Sequence, residues 1–291
     1  MSDVLKKPAQ PAGNPVPVAI CVWGPAGSPG KSTVAANLAC EMSLAGRNVL
    51  LIDLDTVAPG LGDLFGIDDS PPGLAAAARL VGQGRLDLEQ IERLAARFSL
   101  GPGNLSILTG LGSTSRWAEL TSERIEGLIT AGLKYFDFVL LDVASSTEPS
   151  IRQIGGAVDR NCATRTALMT ADLTIAVVAG DPIGLKRFMQ AVEGLKELSA
   201  EPILVVNRVR QAVLGSRYKK QLADVASEFL GLKIAVQIPN DPETCDKSIL
   251  EQVLLALMKR SSPARQAIAK FAKSTFLSAP TFNRAPITKL D

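Results

Sequence analysis

Seven short apolar runs punctuate the chain, and most are followed by segments whose apolar positions recur at helical spacing. The first run, at about 17–23, is apolar and rich in β-branched residues (Val18, Ala19, Ile20, Cys21, Val22, Trp23). A helical pattern at 31–45 follows (Val34, Leu38, Ala39, Met42), and Gly46 is placed to end it. Residues 48–53 (NVLLID) are almost wholly apolar and predict a strand buried on both faces. Residues 73–81 and 86–98 predict helices, 105–108 a short strand, 117–133 an amphipathic helix and 136–143 a strand with Asp142 at its end. Residues 150–171 read as mostly helical. Strands are then expected at 173–179, 202–207 and 233–238, and helices at 184–198, 218–230, 249–258 and 265–271.

This alternation predicts an α/β fold: a doubly wound, mostly parallel sheet of seven or eight strands with helices on both faces. Residues 1–15 read as a disordered, Pro-rich tail, 16–260 as one domain and 261–291 as a C-terminal helix and tail. No internal repeat is visible, and no linker is long enough to force a second domain. Ligands of such sheets bind outside the carboxyl ends of the strands. Asp53, Asp55, Asp142 and Asn207 all fall on that edge.

The chemistry concentrates where the first strand meets the first helix, in VAICVWGPAGSPGKST. Gly24, Gly27 and Gly30 lie in a loop with Ser28 and Pro29, and Lys31, Ser32 and Thr33 open the helix. Glycines let backbone N–H groups approach phosphate oxygens, and the helix N-terminus adds partial positive charge. Lys31 can reach the β and γ phosphates, and the Ser32 hydroxyl can ligate Mg²⁺. Lys31 is expected to face solvent without nucleotide. The spacing departs from G-x-x-x-x-G-K-[ST], because Pro25 stands where the first glycine should be. A chance Gly/Pro turn would explain the glycines alone. The flanking strand and helix, and the acids at other strand ends, favour a phosphate loop.

Asp142 closes FDFVLLD, an apolar strand ending in an acid, suited to completing the shell of a bound Mg²⁺. Asp53 and Asp55 form a D-x-D pair after the second strand. One is suited to Mg²⁺ and the other to the attacking water. A solvated acidic turn is the alternative.

Composition narrows the class further. Hydrophobic residues make up 46% but aromatics only 4%, which suits an aliphatic core between sheet and helices. A net charge of +2 argues for no polyanionic partner, and the absence of histidine excludes imidazole catalysis and His metal ligands. Cys21, Cys40, Cys162 and Cys245 are far apart without a CxxC pair, which suits reduced cytosolic thiols and argues against a metal cluster within one chain. No signal peptide is evident at 1–17, and no apolar run approaches the ~20 residues of a membrane span. A cytoplasmic protein is expected.

GPAGSPGKST, LLIDLD with GLGDLFGI, FDFVLLD and VVNRV together resemble the MinD/ParA family of deviant-Walker P-loop ATPases, with the CpaE/TadZ-like and septum-site-determining-like branch nearest. The resemblance covers about residues 16–260. It implies a P-loop NTPase of the SIMIBI type that binds ATP and Mg²⁺, forms a nucleotide-dependent homodimer and works with protein partners to position a septum, a pilus or secretion machine, a plasmid or a chromosome. A degenerate scaffold acting through protein contacts alone is the alternative, and a P-loop metal-cluster carrier shares the fold.

Carried onto this chain, the family pattern makes Lys31 and Asp55 catalytic, with Asp55 orienting water. Gly24, Gly27, Ser28, Pro29, Gly30, Lys31, Ser32 and Thr33 would hold phosphates. Ser32, Asp53 and Asp142 would serve the metal. Asn207 would hydrogen-bond adenine, with Arg208, Pro239 and Asp241 near the base. The family's additional loop lysine aligns with Ala26, so intrinsic hydrolysis is expected to be slow unless another cation, such as Arg152 or Arg160, substitutes. The receiver-like domain that often precedes the ATPase in the CpaE branch is not expected here.

Two surface features bear on partners. Arg208, Arg210, Arg217, Lys219 and Lys220 form a basic run that reads as a solvated face, with weak non-specific DNA contact as the alternative. In the C-terminal segment, Ile268, Phe271, Ala272 and Phe276 share one helical face. It is expected to dock on the sheet rather than on a membrane.

Overall fold

The computed structural model describes residues 16–67, 73–149, 159–199, 201–215 and 217–278. The expected tail at 1–15, Arg152 and the first part of the 150–171 segment therefore lie outside the described residues. The amino-terminal half contains β1 (Val18–Trp23), α1 (Lys31–Leu44), β2 (Asn48–Leu54), α2 (Leu61–Leu64), α3 (Gly73–Gly82) and α4 (Leu88–Leu94). It continues through β3 (Ala96–Leu100), β4 (Gly103–Leu108), α5 (Ser122–Leu133) and β5 (Phe138–Val143). The remainder contains α6 (Cys162–Thr170), β6 (Leu173–Ala179), α7 (Pro182–Lys196), β7 (Ile203–Val209), α8 (Gln211–Leu214) and α9 (Tyr218–Leu230). Last come β8 (Ile234–Pro239), α10 (Pro242–Glu251), α11 (Leu255–Met258) and α12 (Pro263–Ala272).

The eight strands form one sheet in the order β3-β4-β2-β5-β1-β6-β7-β8. All neighbours run parallel except β3 and β4. β1 sits between β5 and β6; β7 and β8 extend the sheet on one side, and β2, β4 and β3 on the other. The loop after β1 therefore opens into the crevice at the carboxyl edge, where this topology places ligands. Alternate residues of each strand feed two cores. Val18, Ile20 and Val22 pack with α1 and α12 on one face. Ala19, Cys21 and Trp23 pack with α3, α5, α6 and α7 on the other.

Segmentation differs from the expectation in three places. The 86–98 helix is instead α4 followed by β3. Asp87 Oδ1 accepts from Gln90 N–H (2.9 Å) to start the helix. Phe98 and Leu100 then turn inward while Arg97 and Ser99 face out. That period-two pattern is too short to stand out in the sequence. The 117–133 helix divides into a 3₁₀ turn (Thr114–Glu119) and α5, which Thr121 caps. The helix expected at 249–258 is instead the end of α10 and α11, and residues 242–248 of α10, PETCDKS, went unread because they carry no apolar stripe. Replacing Asp87 by Ala should cost about 1 kcal/mol through loss of the α4 cap, read as a lowered urea midpoint at unchanged slope.

α12 docks as expected. Ile268, Phe271, Ala272 and Phe276 are buried, and Phe271 and Phe276 meet edge to face at 5.4 Å. Arg265 grips Glu41 of α1 through Nε (2.7 Å) and Nη2 (3.3 Å). The Ser262 hydroxyl donates to Asp241 (2.6 Å). The face that a membrane would need is consumed by the protein's own core. Among the described residues, no helix is long and apolar enough to cross a membrane.

Candidate nucleotide site

The loop between β1 and α1 borders a cavity of about 910 Å³, and a second of about 560 Å³ adjoins it. Residues 25–33 line the first, together with Asp55, Val57, Ser145, Thr147 and Arg208, while Gly24 lies just outside the lining. Two glycines shape the loop. Gly27 and Gly30 have φ of 104° and 93°, in the left-handed region that disfavours a side chain. The Gly30 carbonyl accepts from Val34 N–H (2.9 Å), so α1 begins directly beneath the loop.

Lys31 departs from the expectation of a solvent-facing side chain, being only 11% exposed. Its ammonium donates to Ser145 Oγ (3.1 Å) and lies 3.6 Å from Asp55 Oδ2. The loop after β5 and the loop after β2 thus both hold the lysine over the cavity. Asp55 Oδ1 accepts from Val57 N–H (2.9 Å) and Ala58 N–H (2.8 Å), which fixes the carboxylate that faces Lys31.

Asp53 and Asp142 are paired across the β2–β5 ladder and point to the same face, beneath the loop. Their environments separate their roles. Asp53 accepts from Asp55 N–H (3.1 Å) through one oxygen and from Gly60 and Leu61 N–H (3.0 Å each) through the other. Its two oxygens hold the loop that carries Asp55. Asp142 has both oxygens buried and without a hydrogen-bond partner among the described residues. Burial pushes its carboxyl above the ordinary range, against the pull of Ser32 and the Lys31 ammonium. Burial, and then the neighbouring Asp142, push Asp53 up as well. The Ser32 hydroxyl is the group that pulls the Asp142 pKa down most.

An orphaned buried carboxylate beside a serine hydroxyl fits a divalent cation. Ser32 would ligate Mg²⁺ directly and Asp142 would hold its bound water, while the metal, when present, neutralises charge on the β and γ phosphates.

The residues expected around the base are placed differently. Asn207 Nδ2 donates to Pro29 O (2.8 Å), and its Oδ1 accepts from Arg208 N–H (2.9 Å). Asn207 thus braces the phosphate loop. Asp241 caps α10 through Thr244 N–H and accepts from Ser262, tying that loop to α12. Arg208 and Pro239 line the smaller cavity with Asp241, and Arg208 borders both cavities. The described members of the basic run, Arg208, Arg210, Arg217 and Lys220, are exposed as expected; Arg208 and Arg210 also border the smaller cavity, and Arg210 pairs with Asp181 (3.8 Å). Arg160 lies in the turn before α6 and does not line either cavity.

Sequence reading missed Ser145, the partner of Lys31, and Arg187 of α7, which lies against Gly27. The small residues after Asp142 (Ala144, Ser145, Ser146) gave a hint of a close approach. Arg187 carried no signal, because only the folded chain brings α7 to the loop.

The profile of the CobQ/CobB/MinD/ParA nucleotide binding domain matches residues 20–253, including every strand of the crevice. The chain belongs to this family. It is 22% identical over 253 residues to the septum site-determining protein MinD of Bacillus subtilis, covering 87% of each. It is 28% identical over 243 residues to the iron-sulfur cluster carrier protein of Aquifex aeolicus, covering 79% of this chain. The chain spans only 59% of that relative's length. Among solved structures, a ParA family ATPase from Chlorobium tepidum superposes with a TM-score of 0.71 at 19% identity, over 88% of this chain and 98% of that one. MinD of Pyrococcus horikoshii, complexed with Mg-ADP, superposes with a TM-score of 0.67 at 22% identity, over 88% and 95%. These likenesses show that the MinD/ParA fold is shared.

Proposed function

We propose that this MinD/ParA-family chain is an Mg-ATP-binding switch that dimerises on nucleotide and positions a cellular assembly at the cytoplasmic face. The observation that carries this reading is the joint placement of Lys31, Asp55 and the unpartnered Asp142 around one phosphate loop. Lys31, Ser32, Thr33 and the loop backbone hold the phosphates. Asp55 orients water, and Ser32 with Asp142 serves the metal. The names of the relatives, septum-site determination and the ParA family, support a septum, chromosome or plasmid as cargo. The motif GPAGSPGKST and its resemblance to the CpaE/TadZ-like branch support a pilus or secretion machine.

Cluster carriage has less support. Cys21 and Cys40 are fully buried, and burial pushes both thiols up, away from the thiolate that binds metal. Cys162 sits among Ser122 and Thr166 hydroxyls.

Because Ala26 offers no cation, turnover by the protein alone is expected to be slow, on the order of 10⁻³–10⁻² s⁻¹. Light scattering with and without ATP and Mg²⁺ tests the switch. A mass that doubles only with both supports it, while one mass under every condition indicates a scaffold working through protein contacts. Steady-state phosphate release checks the rate, and brisk turnover by the isolated chain would refute slow hydrolysis.

A further inference from the structure

Gly27 lines both cavities, as do Thr33, Leu64 and Arg208, and the side chain that covers its outer side, Arg187, comes from a distant helix and lines the smaller cavity. A Cβ built on Gly27 would collide with Nη1 of Arg187 and fall 2.8 Å from its Cζ. The guanidinium therefore lies directly against the glycine, at the apex of the phosphate loop. Arg208 approaches the same loop at Gly30, with Nη2 4.0 Å from the corresponding Cβ position.

Arg187 is available for an anion. It is exposed, and among the described residues it makes no hydrogen bond or ion pair. The nearest acid on its own helix start, Asp181, is engaged by Arg210 (3.8 Å) and by Gly184 N–H (2.8 Å). Lys31, the only lysine of the loop, is already shared between Asp55 and Ser145. A triphosphate still carries negative charge after one metal ion and one lysine. The loop itself supplies no second cation, because position 26 is alanine.

The helix that carries Arg187 is held in the same packed frame as Lys31. Asp181 and Pro182 start α7, and Phe188, next to the arginine, is fully buried against Trp23 at a ring separation of 6.3 Å. The Trp23 indole donates to Ser145 O (3.0 Å), and Ser145 Oγ accepts from Lys31. Both cations are thus referenced to the end of β1. A guanidinium so placed matches the paired oxygens of a phosphate better than an ammonium would.

We propose that Arg187 reads the terminal phosphate of a bound nucleoside triphosphate from within the same chain, closing the loop at Gly27. This rests on the nucleotide-site reading above. It makes Arg187 the group that separates triphosphate from diphosphate, in a loop that lacks a second lysine.

The test is calorimetric titration of the full-length chain with Mg-ADP and with a non-hydrolysable ATP analogue, for wild type, Arg187→Ala, Arg187→Lys and Lys31→Ala. Arg187→Ala should weaken the analogue about tenfold or more and ADP less than about threefold, with Arg187→Lys between wild type and alanine. Equal weakening of both ligands, or no change in either, overturns the assignment. Lys31→Ala separates the two inferences. If it abolishes binding while Arg187→Ala changes nothing, only the arginine role falls. If wild type binds neither ligand, or Lys31→Ala leaves both intact, the nucleotide site falls and Arg187 with it. Thermal melts verify folding, and an exposed arginine removes little core when truncated.

Discussion

Lys31→Ala is expected to lower Mg-ATP affinity at least ~100-fold, about 2.8 kcal/mol, while the protein stays folded. The size follows from position. The Lys31 ammonium is held over the cavity by Ser145 and Asp55 and is mostly shielded from water, so its attraction for phosphate is little screened. Removing it also leaves the Asp55 carboxylate at the phosphate site without its counter-ion, which adds repulsion to lost attraction. The cost to folding should be small, since the pair at 3.6 Å links side chains at the cavity rim and no core apolar group is removed. Calorimetry and a thermal melt on one preparation check both halves. A variant that binds Mg-ATP as tightly as wild type would sink the phosphate-loop assignment.

Asp142→Asn should abolish the dependence of nucleotide binding on Mg²⁺ and at the same time make the metal-free protein more stable at neutral pH. Both effects come from one buried charge. Among the described residues the Asp142 carboxylate has no hydrogen-bond partner to offset its loss of water, and burial raises its pKa above the ordinary carboxylate value. A raised carboxylate pKa means that the native state keeps its proton to higher pH than the unfolded chain does. The associated stability is fully present in acid, below the unfolded value, and is lost as pH climbs through the raised native value. Wild type without metal should therefore lose stability from mild acid up through neutrality. The asparagine variant should show a flatter profile, with Asp53 supplying what slope remains. Urea melts across that range, and nucleotide titrations with and without Mg²⁺, read both outcomes. An unchanged metal dependence in Asp142→Asn would remove this residue from the metal site.

These two residues also show how unevenly the site was legible. Asp53 and Asp142 look alike in sequence, each an acid ending an apolar strand. The ladder even pairs them. Only the path of the loop after β2 separates them. That loop returns the Gly60 and Leu61 N–H groups to Asp53, and no backbone donor reaches Asp142. Asn207 falls at the expected edge, but its bond to Pro29 was not legible, because that reach depends on β7 standing next but one to β1 in the sheet.

By itself the sequence determined the α/β class, the position of every long parallel strand, the phosphate loop and the docking of the last helix. These follow from local signals: apolar runs with period-two or helical spacing, a Gly-rich turn before Lys-Ser, and one apolar helical face. The tertiary structure alone decided the short antiparallel β3, the confinement of Lys31 by Ser145, the division of labour between Asp53 and Asp142, and the approach of Arg187 to Gly27. Each is a contact between segments far apart in the chain. Its geometry depends on sheet order and crossover path, which are set by the summed burial of both faces and leave no mark at any single residue.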